Sequence, residues 1–290
     1  MFCEDAKILS HDAFAGEQWI VRVHAPKCAN AAQPGQFAHI TCHPMQPMRR
    51  PISIMRANPA QGWVDFLYKV VGTGTQHLSE RTVGENLNLI APIGTPFQLH
   101  ANTKHHVLIG GGVGMPPMIH LAETLYHQKR TQQALVLLGS EVPFPFRPQP
   151  SKFLLPNWPE GVIAAMPLFE DWGIVSRLAS LQTFPGCFQG YITALAAHWL
   201  DSLSPEEKSA TTLYACGPTP MLQAVAQLSA RYQIPAQLSL EEYMACAVGG
   251  CAGCTVPITT QGQVSMKRVC VDGPIFSADS VYPELFLTDP

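Results

Sequence analysis

The chain has 290 residues, enough for two domains with room for a small third. Its 47% hydrophobic content supports a sizeable core and excludes disorder as a description of the whole chain. Only 13% of residues are charged and the net charge is −3, so the basic footprint needed to bind nucleic acid is missing. So low a charge density points instead to surface covered by a partner or a cofactor. No run of 18 apolar residues occurs, which excludes a membrane-spanning helix. The start, Met1-Phe2-Cys3-Glu4-Asp5, is acidic where a secretory signal is basic, so a cytoplasmic protein is expected. Nine cysteines, an odd number, then sit in a compartment that keeps thiols reduced.

Up to about residue 100 the chain reads as short strands separated by turn signals: 19–24, 36–42, 52–56, 64–71 and 86–91. Such a series predicts an antiparallel barrel or sandwich. After His100 the pattern changes. Strands are expected at 107–109, 134–139, 161–166 and 211–216, with helices at 116–129, 191–203 and 221–232. Strands alternating with helices predict a parallel, helix-covered sheet. Residues 141–159 hold six prolines and are expected to be irregular. From Leu238 the chain becomes rich in cysteine and glycine. The resulting division is a β-barrel at 1–100, an α/β nucleotide-binding domain at 101–237 and a small cysteine module at 238–290.

Within that module Cys246, Cys251 and Cys254 have the C-x4-C-x2-C spacing, with Cys270 further on. This is the ligand spacing of plant-type [2Fe–2S] clusters. Gly249, Gly250, Ala252 and Gly253 leave room for the backbone to wrap the cluster and aim amides at its sulfurs. A structural zinc site is the alternative, but zinc modules favour paired C-x2–4-C knuckles and Cys270 has no near partner. Cys3, Cys28, Cys42 and Cys187 are scattered and read as small core residues.

Gly110-Gly111-Gly112-Val113-Gly114-Met115-Pro116-Pro117 lies between an expected strand and helix. Glycines allow close approach to a phosphate, and a helix start offers free N–H groups. A structural tight turn is the competing reading, since the strict G-x-G-x-x-G pattern is absent. Cys216-Gly217-Pro218 ends a second strand of the same domain, so the two ends can share one ligand. In the barrel, Arg49-Arg50-Pro51-Ile52-Ser53 offers an arginine for a pyrophosphate, and Gly72-Thr73-Gly74-Thr75 a loop of small residues for the same phosphates. Read without the rest of the chain, both are equally a basic surface residue and a hairpin turn.

Taken in order, R-x-x-S, G-x-G-T, G-G-G-x-G-x-P-P, C-G-P and a C-terminal iron–sulfur loop resemble the ferredoxin reductase-like flavoproteins over essentially the whole chain. Arg50-Pro51-Ile52-Ser53 and Ser239-Leu240-Glu241-Glu242-Tyr243-Met244-Ala245-Cys246 narrow the resemblance to the electron-transfer subunits of NAD-dependent (type B) dihydroorotate dehydrogenases. One departure is the turn at 91–97, which carries a single glycine where that group is often glycine-rich. The resemblance implies an FAD-binding barrel, an NAD-binding α/β domain and a [2Fe–2S] module. It implies that Arg50, Pro51, Ile52 and Ser53, with Leu67, Tyr68, Lys69, Gly74 and Thr75, hold FAD, Ser53 near its reactive nitrogen. Gly111, Gly112 and Gly114 would approach the nucleotide phosphates, and Cys216 would lie near the nicotinamide. Cys246, Cys251, Cys254 and Cys270 would ligate the cluster. The implied partner is a catalytic dihydroorotate dehydrogenase flavoprotein subunit in a hetero-oligomer. The alternatives are an NAD(P)H-linked subunit of a hydrogenase-like or ferredoxin-reducing complex and, from another class, a zinc-stabilised interaction module. Glu141, after the 134–139 strand, favours NAD by repelling a 2′-phosphate, while Arg147 keeps NADP open.

Overall fold

The computed structural model describes residues 1–155 and 158–287. Six antiparallel strands, β1 (Phe2–Phe14), β2 (Gln18–His24), β3 (Phe37–Ile40), β4 (Arg50–Asn58), β5 (Trp63–Lys69) and β6 (Asn86–Ile93), close into a barrel in the order β1-β2-β5-β4-β3-β6. Alternation along each strand sends Val21, Ile54, Phe66 and Leu89 inward to a common core. Helix α1 (Pro26–Ala31) follows β2, and α2 (Thr73–Ser79) follows β5. The sequence reading missed both helices, which are only six and seven residues long. It also missed β1, because only Ala6 and Ile8 of its 13 residues are buried and no apolar run marks it. β1 pairs with β6 through its first half and β2 through its second, with a bulge between Ile8 and Ser10 that bends it around the barrel.

The second domain is built on β7 (His105–Gly111), α3 (Met115–His127), β8 (Ala134–Gly139), β9 (Gln149–Pro150), β10 (Ala164–Ala165), α4 (Pro167–Trp172), β11 (Val175–Ser180), β12 (Phe188–Gln189), α5 (Ile192–Asp201), α6 (Pro205–Ser209), β13 (Thr211–Cys216), α7 (Thr219–Tyr232) and β14 (Ala236–Ser239). The strand expected at 161–166 contracts to β10, which pairs only with β9 in a separate two-stranded sheet. Its place in the main sheet is taken by β11, whose sequence VSRLAS hid it by carrying Ser176, Arg177 and Ser180 into the interior. The Arg177 guanidinium donates to the carbonyls of Ser176 and Phe153 at 2.7 and 2.6 Å.

The chain ends in a hairpin, β15 (Thr255–Thr260) and β16 (Gln263–Arg268), then β17 (Ile275–Ser277) and α8 (Ala278–Val281). β17 pairs antiparallel with β14 and completes the sheet β12-β11-β8-β7-β13-β14-β17, whose other strands are parallel. The tail after the cysteines is thus tied into the α/β sheet. Barrel and α/β domain meet where Met55 and Leu67 share a core with Met115, Met118 and Ile119. An ion pair between Arg56 of β4 and Glu123 of α3, at 2.6 Å and with the carboxylate almost fully buried, crosses the same boundary. No helix among the described residues is long and apolar enough to cross a membrane.

Candidate functional site

The four cysteines of the tail come together in two pairs. The side chains of Cys246 and Cys251 are in contact, and so are those of Cys254 and Cys270. The loop reaches this shape through left-handed residues, Ala247 at φ 55°, Gly249 at 80° and Ala252 at 54°. It turns amides inward: Val248 and Cys251 N–H donate to Cys246 Sγ at 3.5 and 3.4 Å, and Gly253 N–H to Cys251 Sγ at 3.4 Å. The amides of Val248 and Cys251 lower the Cys246 thiol to about 6, favouring the thiolate that a metal needs. Arg268 closes the loop from behind, bonded to Asp272 at 3.1 Å and to the Gly249 carbonyl at 3.1 Å. Neither residue was singled out in the sequence.

Two pairs suit a two-iron core, in which each iron takes two thiolates. A zinc site needs three or four donors around one point. Cys254 and Cys270 are buried while Cys251 is exposed, so one pair faces the protein and the other the surface. The buried side packs on the barrel: Phe37 and Ile93 share a cluster with Met244, Ala247, Cys254 and Cys270. Of the remaining cysteines Cys28 and Cys42 are core residues as expected, whereas Cys3 is exposed beside Asn88.

In the α/β domain β8 lies on one side of β7 and β13 on the other, so strand order reverses between β7 and β13. Ligands of open parallel sheets bind at the carboxyl ends flanking such a reversal. Those ends are Gly110–Gly112 and Cys216-Gly217, held in register by the pair Cys216↔Gly110. The glycines divide into two kinds. A Cβ on Gly111 would lie 2.5 Å from Met221 Sδ, and one on Gly114 would overlap the Cys216 carbonyl. Gly111 is crowded by the start of α7 and Gly114 by the end of β13, so both are glycines for packing. Gly112, at φ 55° with open space around its Cα, presents its backbone to the crevice. α3 begins at Met115 with prolines in its first turn, where no N–H is needed. Cys216 is fully buried in the core beside Leu108 and Tyr214, and burial raises its thiol far above the usual range, so it has no thiolate to offer.

On the barrel, β4 and β5 pair from Asn58↔Trp63 to Ile54↔Phe66 and no further, although both strands continue. Pro51–Ser53 and Leu67–Lys69 therefore face each other across a gap with unpaired main-chain groups on its two sides. Arg50 reaches over the start of α2. A Cβ on Gly74 would lie 2.5 Å from Arg50 Nε, so the missing side chain makes room for the guanidinium. Thr75 Oγ1 is engaged within its own turn, accepting from Val71 N–H at 3.0 Å. Arg49, indistinguishable from Arg50 in sequence, bonds the carbonyls of His39 and Asn88 at 3.2 and 3.0 Å and holds the barrel wall.

The expected flavin-contacting residues therefore separate by direction. Pro51 and Ser53 project from the outer face, paired with His39 and Phe37 of β3. Leu67 turns toward the α/β domain and Lys69 is half-buried. Ile52 and Tyr68 point into the barrel core, and the Tyr68 hydroxyl bonds His11 Nε2 at 2.7 Å. For these two, only the main chain is available to a ligand.

Comparison with known proteins identifies the family. Residues 241–282 match the family model for the iron–sulfur cluster binding domain of dihydroorotate dehydrogenase B. The chain is 31% identical to the electron transfer subunit of dihydroorotate dehydrogenase B (NAD(+)) of Desulforamulus reducens, over 94% of this chain and 95% of that one. It is 32% identical to the subunit of the same name from Bacillus caldolyticus, over 86% of each. Among solved structures it is similar to an NADH-dependent reduced ferredoxin-NADP oxidoreductase, with TM-score 0.72, 24% identity and coverage of 97% of this chain and 91% of that one. It is also similar to phthalate dioxygenase reductase, with TM-score 0.56 and 15% identity, over 92% and 77% of the two chains. These structures share the fold; the sequence relatives are matched over most of their length. The chain belongs to the family of dihydroorotate dehydrogenase B electron transfer subunits.

Proposed function

We propose that this protein carries electrons between NAD(H) and a catalytic dihydroorotate dehydrogenase subunit, using FAD on the barrel and a [2Fe–2S] cluster in the cysteine loop. The observation that carries the reading is the position of the four cysteines, packed on one side against the barrel's outer face and open on the other. The chemistry these groups supply when bound is two-electron exchange with the nicotinamide and one-electron transfer onward.

The chain's own residues prepare that exchange. Arg50 sets a positive charge at the start of α2, beside Gly74, where a pyrophosphate bridge is held. The gap between Pro51–Ser53 and Leu67–Lys69 offers main-chain donors and acceptors to a planar ring, with the Ser53 hydroxyl at its rim. Gly112 and the first turn of α3 take the phosphates of NAD, and Cys216 marks the nicotinamide end of the crevice. Cys246, Cys251, Cys254 and Cys270 hold the cluster, two thiolates to each iron. Around its open side Cys251 is exposed, Tyr243 is 94% exposed and Val248 45% exposed. This apolar rim is the docking face for the catalytic subunit, which makes the working protein a hetero-oligomer. All nine cysteines are free, in keeping with a cytoplasmic protein.

The test is the visible spectrum of the anaerobically purified chain before and after NADH. Flavin bands with an iron–sulfur shoulder, both bleached by NADH, are the expected result. Flavin without the shoulder would remove the cluster from the reading, and a colourless protein with one zinc per chain would replace it.

A further inference from the structure

The segment between β3 and β4 meets α2 at two points. The first is Arg50, whose guanidinium lies over Gly74 and donates to the Met48 carbonyl at 2.9 Å. The second is a pair of imidazoles: the ring centres of His43 and His77 are 4.8 Å apart, with 33° between the planes. Gly74 and His77 are three residues apart on α2, so the two contacts occupy neighbouring positions of one helix face, about 5–6 Å apart. Both rings are anchored. His43 Nδ1 accepts from the Met45 N–H at 3.1 Å, inside a turn closed by the pairing of His43 with Gln46. His77 Nδ1 lies 3.4 Å from the Glu80 carboxylate.

The His77 side chain is 34% exposed and His43 is half-buried, so the pair lies at the surface. The chain beside it is apolar and open. Met45 belongs to the His43 turn, Met48 carries the carbonyl that Arg50 binds, and Val71 donates to Thr75 of α2. All three side chains are exposed, Met45 and Val71 by 80% or more. Two fixed imidazoles bordered by open apolar side chains suit a flat aromatic ring, which stacks on the one and covers the other.

The place of the patch says which ring. With the flavin ring between Pro51–Ser53 and Leu67–Lys69 and the pyrophosphate at Arg50, what remains of FAD is its adenosine end. That end starts beside Gly74, where the His43 turn and the rest of α2 are the walls that continue past Arg50. We propose that His43 and His77 form the platform for the adenine of FAD. The platform sets a preference for FAD over flavin mononucleotide (FMN), which has the same ring and one phosphate but no adenosine. This rests on the reading of the barrel as the flavin site.

The experiment titrates the full-length apoprotein with FAD and, separately, with FMN, followed by flavin fluorescence. Wild type should bind FAD more tightly. His77→Ala and His43→Ala should each weaken FAD about tenfold, the scale of one lost base–aromatic contact, and leave FMN unchanged. His77→Phe keeps a π face and should hold most of the FAD affinity. Arg50→Gln should weaken both flavins, since both carry a phosphate. Unchanged FAD affinity in both alanine variants would overturn the proposal. So would equal weakening of FAD and FMN, which would make the histidines structural only, or a loss in His77→Phe as large as in His77→Ala. Weaker capture of the catalytic subunit with both flavin affinities unchanged would overturn it as well and assign the patch to the partner. A wild-type chain that binds neither flavin would instead remove the reading on which the proposal rests.

Discussion

The cysteine loop and the barrel's outer face are each built to hold a redox group, but they do it with different parts of the chain. In the loop the binding groups are side chains, three within nine residues and a fourth at Cys270, and the backbone serves by aiming amides at their sulfurs. On the barrel the groups proposed to bind are mostly main chain, left unpaired where β4 and β5 part company after Ile54↔Phe66, with Arg50 as the one prominent side chain. Removing one side chain should therefore be decisive in the loop and graded on the barrel.

The largest effect is expected at Cys251, the exposed ligand. Cys251→Ser should abolish the iron–sulfur absorbance and electron transfer to the catalytic subunit, while NADH oxidation with a flavin-accepting dye persists. Loss of both activities with folding intact would mean that the two regions are not separable. On the barrel, Arg50→Gln removes a charge-assisted contact worth about 1.5–3 kcal/mol, so FAD should bind roughly 10–100-fold more weakly, measured by titration of the apoprotein. Gly74→Ala should weaken FAD binding in the same direction by pushing the guanidinium aside. Normal FAD affinity in both would move the pyrophosphate elsewhere.

A smaller effect distinguishes the glycines of the nucleotide crevice. Gly114→Ala forces the turn before α3 away from the end of β13 and should cost about 1–3 kcal/mol of stability in a urea titration. Gly112→Ala meets no neighbour and pays only for its left-handed backbone, about 1–2 kcal/mol, yet it should raise the KM for NADH. Equal stability losses would show that packing is not what sets Gly114 apart.

A further effect is one of pH. Burial lowers His106 and His120 to about 4, with Arg130 and Arg56 respectively adding to it. Their folded pKa lies below the unfolded value of about 6.5, so the unfolded chain binds more protons between these limits. Stability from this source is fully present above about pH 6.5 and declines as pH falls toward about 4. His120→Gln should flatten the dependence of the urea midpoint on pH in that window.

The difference between the two regions also governs how much could be read before the structure. Cys246, Cys251, Cys254 and Cys270 were legible because a ligand set with short spacing is a chemical statement in one dimension. The parallel-sheet domain was legible from β8 and β13, whose apolar runs matched the expected strands residue for residue. β11 was not, because its buried serines and arginine are satisfied by distant partners such as the Phe153 carbonyl. Of the adjacent pair Arg49 and Arg50, one clamps the barrel wall and the other lies over Gly74 at the start of α2, a distinction that exists only once β3, β6 and α2 surround them. Tyr68 reads as a ligand contact beside Leu67, yet the pleat sends one residue in and the next out.

By itself, then, the sequence determined the order of the parts and marked out the four cysteines proposed as metal ligands, since both are set by residue type and local spacing. The tertiary structure decided which main-chain groups are left unpaired, which glycines are crowded and which are open, and which face of the barrel meets the cysteine loop. These depend on contacts between residues far apart in the chain, such as Phe37 with Met244 and Arg50 with Gly74, and no local pattern encodes them.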